Sequence, residues 1–194
     1  MYEAKRYYAK RYGALSGSFA FQAKTPEALT AWQTDFRSRL EETLGLSNMA
    51  QDLADHQPHA EQIDSVQQEG YVRQRWQLWV EPGVPLPFYL LQPDVPIEKA
   101  GRALPLVLCP HGHNHPHIYV GLYSDETERL SIIQGERDIA VQAVKEGYTV
   151  IAPTTRGFGP TRTVEDIEAN NLSSCRTQLM HGLLLGRTPI GERV

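Results

Sequence analysis

The sequence lacks any apolar run approaching the ~18 residues of a transmembrane helix, so no membrane span is expected. Nor does an apolar stretch follow the basic start Met1-Tyr2-Glu3-Ala4-Lys5-Arg6, as a secretory leader requires. A cytoplasmic protein is therefore expected. Cysteine is scarce. Cys109 and Cys175 are the two present, too few for a disulfide framework, and in a reducing compartment both are expected as free thiols. Neither sign of charge is in large excess: 19 Lys and Arg against 23 Asp and Glu give a net charge of −4, with no global attraction to nucleic acid or an acidic membrane. Internal repeats and low-complexity segments are also missing.

What remains is a 194-residue chain with 41% hydrophobic and 22% charged residues, the composition of one globular domain. Thr25-Pro26 starts a helix, because threonine can accept a backbone N–H and proline suits the first helical position. Leu29, Trp32, Phe36, Leu40 and Leu44 follow at helical spacing, and Gly45 stops it. Residues 1–65 are expected to be mainly helical. Val72, Trp76, Leu78 and Val80 then alternate with Arg73, Arg75 and Gln77, as in a half-exposed strand. Glu81-Pro82-Gly83 turns the chain into a second strand over Leu86 to Leu91, giving an antiparallel pair.

Farther along, 104–109 and 148–152 are continuous apolar runs, predicted as strands buried on both faces of a parallel sheet. A helix over 136–146, with Ile139, Ala140, Ala143 and Val144 on one side, joins them into a βαβ unit. A further helix is predicted over 171–185, and Thr188-Pro189 repeats the cap-plus-proline start.

The chemistry concentrates in Cys109-Pro110-His111-Gly112-His113-Asn114-His115-Pro116-His117, directly after the first apolar strand. A strand ending in Leu-Cys-Pro and followed by His-Gly resembles the oxyanion loop of α/β-hydrolases. Ala152-Pro153-Thr154-Thr155-Arg156-Gly157-Phe158-Gly159 resembles the Asp-x-Arg-Gly-x-Gly segment of dienelactone-hydrolase and acetyl-xylan-esterase relatives, with Thr154 in place of the aspartate. Gly135-Glu136-Arg137-Asp138 and the stretch from Cys175-Arg176 to Gly186-Arg187-Thr188-Pro189-Ile190-Gly191-Glu192-Arg193 follow in the same family order.

The resemblance implies an incomplete α/β-hydrolase fold: antiparallel strands, then a parallel βαβ sheet, behind a helical N-terminal extension. Its expected division is 1–65 and 66–194. The implied activity is hydrolysis of a small carboxylic ester through an acylated serine, without a cofactor. Oxyanion donors are then the amides of His113 and Asn114. His111, Gly112, Arg156 and Gly157 support the loops, and Tyr119, Tyr123 and Phe158 are pocket candidates. The nucleophile of this fold sits in Gly-x-Ser-x-Gly, and no serine or cysteine here has a glycine both two residues before and two after it. The triad is thus expected beyond Val194, leaving these residues inactive alone and their last strand edge open to self-association.

Two other readings compete. One is a non-catalytic remnant or interaction module. The other is a metal-dependent hydrolase, because His113, His115 and His117 alternate and three histidines can hold zinc with one open position. Pro116 and Gly112 instead favour a loop that binds no metal. Lys5-Arg6-Tyr7-Tyr8 and Lys10-Arg11-Tyr12 mix basic and aromatic residues as single-strand binders do. In so short a cluster on an acidic chain, a helix face is the expectation, with no nucleic-acid partner.

Overall fold

The computed structural model describes residues 3–14, 17, 19–94, 104–113 and 115–194. Three helices lead: α1 (Ala4–Gly13), α2 (Pro26–Leu44) and α3 (Leu46–Asp52). The Thr25 side chain accepts the Ala28 N–H at 3.2 Å, Pro26 occupies the first turn, and Gly45 ends α2 in the left-handed conformation at φ 77°. No residue of α2 is buried. Its apolar stripe instead gathers local aromatics: Trp32 stacks on Phe36 at 5.0 Å and meets Phe21 edge-on at 5.1 Å.

Strands β1 (His59–Gln68), β2 (Tyr71–Glu81) and β3 (Val84–Pro93) form an antiparallel meander. β1 corrects the picture of residues 1–65 as a helical extension, since the chain joins the sheet at His59 and a boundary at 65 falls inside a strand. As an edge strand, β1 is exposed along nearly its whole length, and a bulge between Gln62 and Asp64 interrupts the pairing. With no buried face, its sequence carries no apolar alternation.

Next come β4 (Leu106–Leu108), α4 (Pro116–Tyr119), α5 (Glu126–Gln134), α6 (Ile139–Lys145), β5 (Thr149–Pro153), α7 (Val164–Glu168) and α8 (Cys175–Leu184), with single 3₁₀ turns at Gly159–Thr161 and Gly191–Arg193. The sheet order is β1-β2-β3-β5-β4, in which β5 runs antiparallel to β3 and parallel to β4. This is the α/β architecture the sequence predicts. Two predicted helices start late: Glu136 adopts φ 51°, which delays α6, and Asn171 turns its side chain onto Asp166 at 2.8 Å, which delays α8.

The core lies on one face of the sheet. Ala140, Val141 and Val144 of α6 pack on Leu91, Val150 and Ala152, with Tyr71, Cys109 and Val120 closing the cluster. Full burial of side chains such as Leu91, Val144 and Val150 contributes about 1.5–3 kcal/mol each. Strand alternation sends Val107 into this core and Leu106 and Leu108 to the opposite face. There the expectation of two buried faces fails. Leu106 and Leu108 are 61% and 62% exposed, because β4 ends the sheet order among the described residues. Leu108 joins Leu78, Leu86, Phe88, Ile151 and Pro153 around an open apolar hollow of about 230 Å³.

The segment after α8 returns to the α2–α3 junction. Thr188 Oγ1 donates to the Leu44 carbonyl at 3.1 Å and accepts the Gly191 N–H at 3.0 Å, so it joins the start of the 3₁₀ turn to the end of α2. A Cβ on Gly45 would collide with the Gly186 carbonyl, and one on Gly191 with the Leu44 carbonyl. Glycine is what allows these backbones to touch.

Candidate functional site

The bend after β4 and the bend after β5 leave the same end of the parallel pair, at the strands' C-terminal tips. His111 joins them. It is buried, and its Nε2 accepts the Thr155 N–H at 2.9 Å while Nδ1 lies 2.8 Å from the Gly112 carbonyl. Because Nε2 accepts, the proton sits on Nδ1 and is donated to Gly112. Gly112 and His113 are exposed at the rim, and among the described residues neither amide donates a hydrogen bond within the chain. Asn114, the other proposed donor, lies outside the described residues.

The opposite wall is the loop 154–159. The Thr154 N–H donates to the Pro87 carbonyl at 2.8 Å, and the Ser174 N–H donates to the Gly157 carbonyl at 2.8 Å. Thr161 Oγ1 accepts the Phe158 N–H at 3.2 Å and lies 3.1 Å from the Thr155 carbonyl it can donate to. Gly157 has φ 81°, and a Cβ there would overlap the Gln178 amide. These restraints hold the Phe158 ring, 4% exposed, with its neighbours placed around it. The His111 and His113 rings meet it edge-on at 5.5 Å each, and the Arg193 guanidinium lies 5.2 Å from its centroid. Together with Pro110, Gly112 and Thr155 they line a cleft of about 270 Å³.

Arg156 points away from this cleft. It donates to Glu81 Oε1 at 2.6 Å and lies 3.7 Å from Glu192, while Arg187 takes Glu81 Oε2 at 2.8 Å and Asp52 at 2.9 Å. Burial pushes the Glu81 carboxyl up, but the hydrogen bonds and charges of Arg187 and Arg156 outweigh it and leave Glu81 below the usual carboxylate range. The network ties β2, the 154–159 loop, the end of α3 and the last residues into one unit.

Two of the three pocket candidates sit elsewhere. Tyr119 packs against the core, and Tyr123 lines a separate polar cleft with Tyr71, Arg129 and Asp138. Phe158 alone joins the bend at 110–113. The histidine alternation does not converge either. His113 faces Phe158, and His117 lies 3.6 Å from Glu128. The His115 ring lies 5.3 Å from that of His117, and burial with the neighbouring His117, Arg162 and His111 holds its pKa below the ordinary value. Among the described residues no group of three metal-ligating side chains is assembled. No described helix is long and apolar enough to cross a membrane.

Sequence reasoning missed Arg193. Its Nε and Nη2 donate to the Arg156 carbonyl at 3.2 and 2.9 Å, and Nη2 also reaches Cys175 Sγ at 3.4 Å. The signal available was its place in Gly191-Glu192-Arg193, but spacing alone does not reveal that this turn folds back over residue 158. Both cysteines are free. Burial raises the Cys175 thiol, yet the hydrogen bonds from Arg193 and Ser173 bring it below its ordinary value, whereas burial raises the Cys109 thiol unopposed. Iodoacetamide near neutral pH should therefore label Cys175 at least about tenfold faster than Cys109, as read by peptide mass spectrometry. Equal rates would contradict the Arg193–Cys175 contact.

Comparison with known proteins gives a family and a fold. The sequence model of a family described as the Abhydrolase family matches residues 13–181. A crystal structure of a putative acetyl xylan esterase from Bacteroides fragilis superposes with a TM-score of 0.77 at 19% identity, covering 100% of this chain and 48% of that one. A methylesterase structure superposes with a TM-score of 0.51 at 17% identity, covering 84% of this chain and 32% of that one. The chain thus spans about half the length of the first and a third of the second. No curated protein sequence matches it.

Proposed function

From the premise that the chain belongs to the Abhydrolase family, with the fold of α/β-hydrolase esterases, we propose that it forms the N-terminal part of a serine hydrolase of small carboxylic esters. The observation that carries this reading is the meeting of two bends at one end of the parallel pair. The first presents the amides of Gly112 and His113, which donate no hydrogen bond among the described residues, and the second presents Phe158 across a small cleft. Acyl transfer builds negative charge on the carbonyl oxygen. A fixed backbone donor stabilises that charge without reorganising, at a scale of about 3–4 kcal/mol.

His113 N–H is the proposed first donor and Asn114 N–H the second. His111 acts through position: by holding Thr155 and Gly112 at once, it fixes how wide the cleft opens. Phe158, 4% exposed, is the apolar floor of the cleft beneath His111, His113 and Arg193. The serine, its general base and the acid that orients the base are proposed to come from a continuation of the chain, with the nucleophile strand pairing alongside β4. No residue here requires a cofactor in that scheme.

The test has two arms. The coding DNA after the Val194 codon is expected to continue in frame into Gly-x-Ser-x-Gly. The continued protein is expected to hydrolyse p-nitrophenyl acetate, with turnover blocked by a fluorophosphonate, while the 194-residue chain gives none. A stop codon at that point would favour the non-catalytic remnant. Saturable, fluorophosphonate-sensitive turnover by the 194 residues alone would overturn the assignment of the nucleophile.

A further inference from the structure

We propose that the cleft beside Gly112 and His113 selects an ester carrying a second, negatively charged carboxylate, and that Arg193 is the residue that reads it. This deepens the ester-hydrolase reading and rests on it for the chemistry of the ligand.

Arg193 is the one fixed charge among the described residues lining the cleft, and no carboxylate lines it. Other arginines nearby are committed: Arg156 to Glu81 and Glu192, Arg187 to Glu81 and Asp52. Arg193 itself forms no salt bridge among the described residues, while the Glu81 and Glu192 carboxylates that border the neighbouring pocket with it are paired to Arg156 and Arg187. Its Nε and Nη2 are spent on the Arg156 carbonyl and the Cys175 sulfur, and its face rests on the Phe158 ring. Nη1 donates to nothing among the described residues. The guanidinium is therefore anchored by neutral partners, with its charge uncompensated and one donor edge left over. A planar cation held in this way is suited to a carboxylate oxygen. Arg193 and His113 meet the same Phe158 ring and line the same cleft, so an anion held there by the guanidinium lies beside the bend that carries the proposed oxyanion donors. At about 270 Å³ the cleft admits a short acyl group with one such substituent.

The experiment compares monomethyl succinate with dimethyl succinate, which differ by that one charge, in titrations of the 194-residue chain followed by amide NMR shifts. The shifts of Gly112, His113 and Phe158 should report tighter binding of the monoester by about tenfold, the scale of one charge-assisted hydrogen bond. The preference should shrink with added salt. Arg193→Gln should abolish it, while Arg193→Lys should retain part of it, which separates charge recognition from loss of packing around Phe158. Equal binding of the two esters, a preference surviving in Arg193→Gln, or no shift at these amides would each overturn the proposal. None of these outcomes bears on turnover by the continued protein, so the ester-hydrolase reading stands or falls separately.

Discussion

Glu81→Gln should cost about 3–5 kcal/mol of stability, the scale for removing one partner from a buried ion network. The Glu81 residue is 7% exposed, and its two oxygens take separate arginines. Glutamine keeps the shape but leaves the Arg156 and Arg187 guanidiniums, 13% and 12% exposed, with Glu192 at 3.7 Å and the well-exposed Asp52 as their remaining carboxylate partners among the described residues. The urea midpoint should fall sharply, whereas Glu126→Gln, which removes an exposed i,i+3 pair with Arg129, should change the unfolding free energy by under about 0.5 kcal/mol. The pH dependence has a definite sign. Glu81 titrates lower in the folded protein than in the unfolded chain, so its contribution is complete above the ordinary value of 4.5 and is lost as pH falls through the depressed folded value. The glutamine variant should therefore lose less stability than the parent on acidification over that range. An unchanged midpoint would mean that the network does not hold the 154–159 loop to β2.

This network was only half legible in the sequence. Arg156 stood out because glycine follows it and the segment resembles a known loop. Glu81 read merely as part of a turn, and Arg187 as part of a family stretch. Pairing residues 75 and 106 positions apart depends on how β2, β5 and the tail meet, and no local period encodes that. Local chemistry was far more readable. Thr25, Pro26 and Gly45 bounded α2 because caps act within a few residues, and the apolar runs located β4 and β5, of which β5 is half buried and β4 sends only Val107 into the core. β1 escaped because a strand exposed on both faces has no period to show. The bend at residues 110–113 was visible as a motif, whereas its opposite wall was only partly so. Phe158 lay inside a recognisable loop, but Tyr119 ends α4 packed against the core, and Tyr123 lies beyond that helix and lines a different cleft.

The largest contrast expected from any substitution comes from Leu106→Lys with Leu108→Lys, since its sign should reverse with the length of the chain. In the 194-residue chain both side chains stand on the open face of the last strand, beside the hollow lined by Leu86, Phe88 and Ile151. An exposed strand edge next to an apolar face is a template for association. Two lysines there cost little folding energy and place repelling charges on the surface that would stack. The parent is expected to self-associate as its concentration rises and the double variant to remain monomeric, as measured by light scattering. If the proposed nucleophile strand of a continued chain pairs with β4, the structure it brings is expected to cover this face. The same lysines would then be buried without partners, at a cost of about 4 kcal/mol or more. Loss of the folded state and of ester turnover in the continued protein, together with improved behaviour of the short one, is the expected pair of results. A double variant equally well folded in both contexts would remove the premise that the face beside β4 is an interior surface.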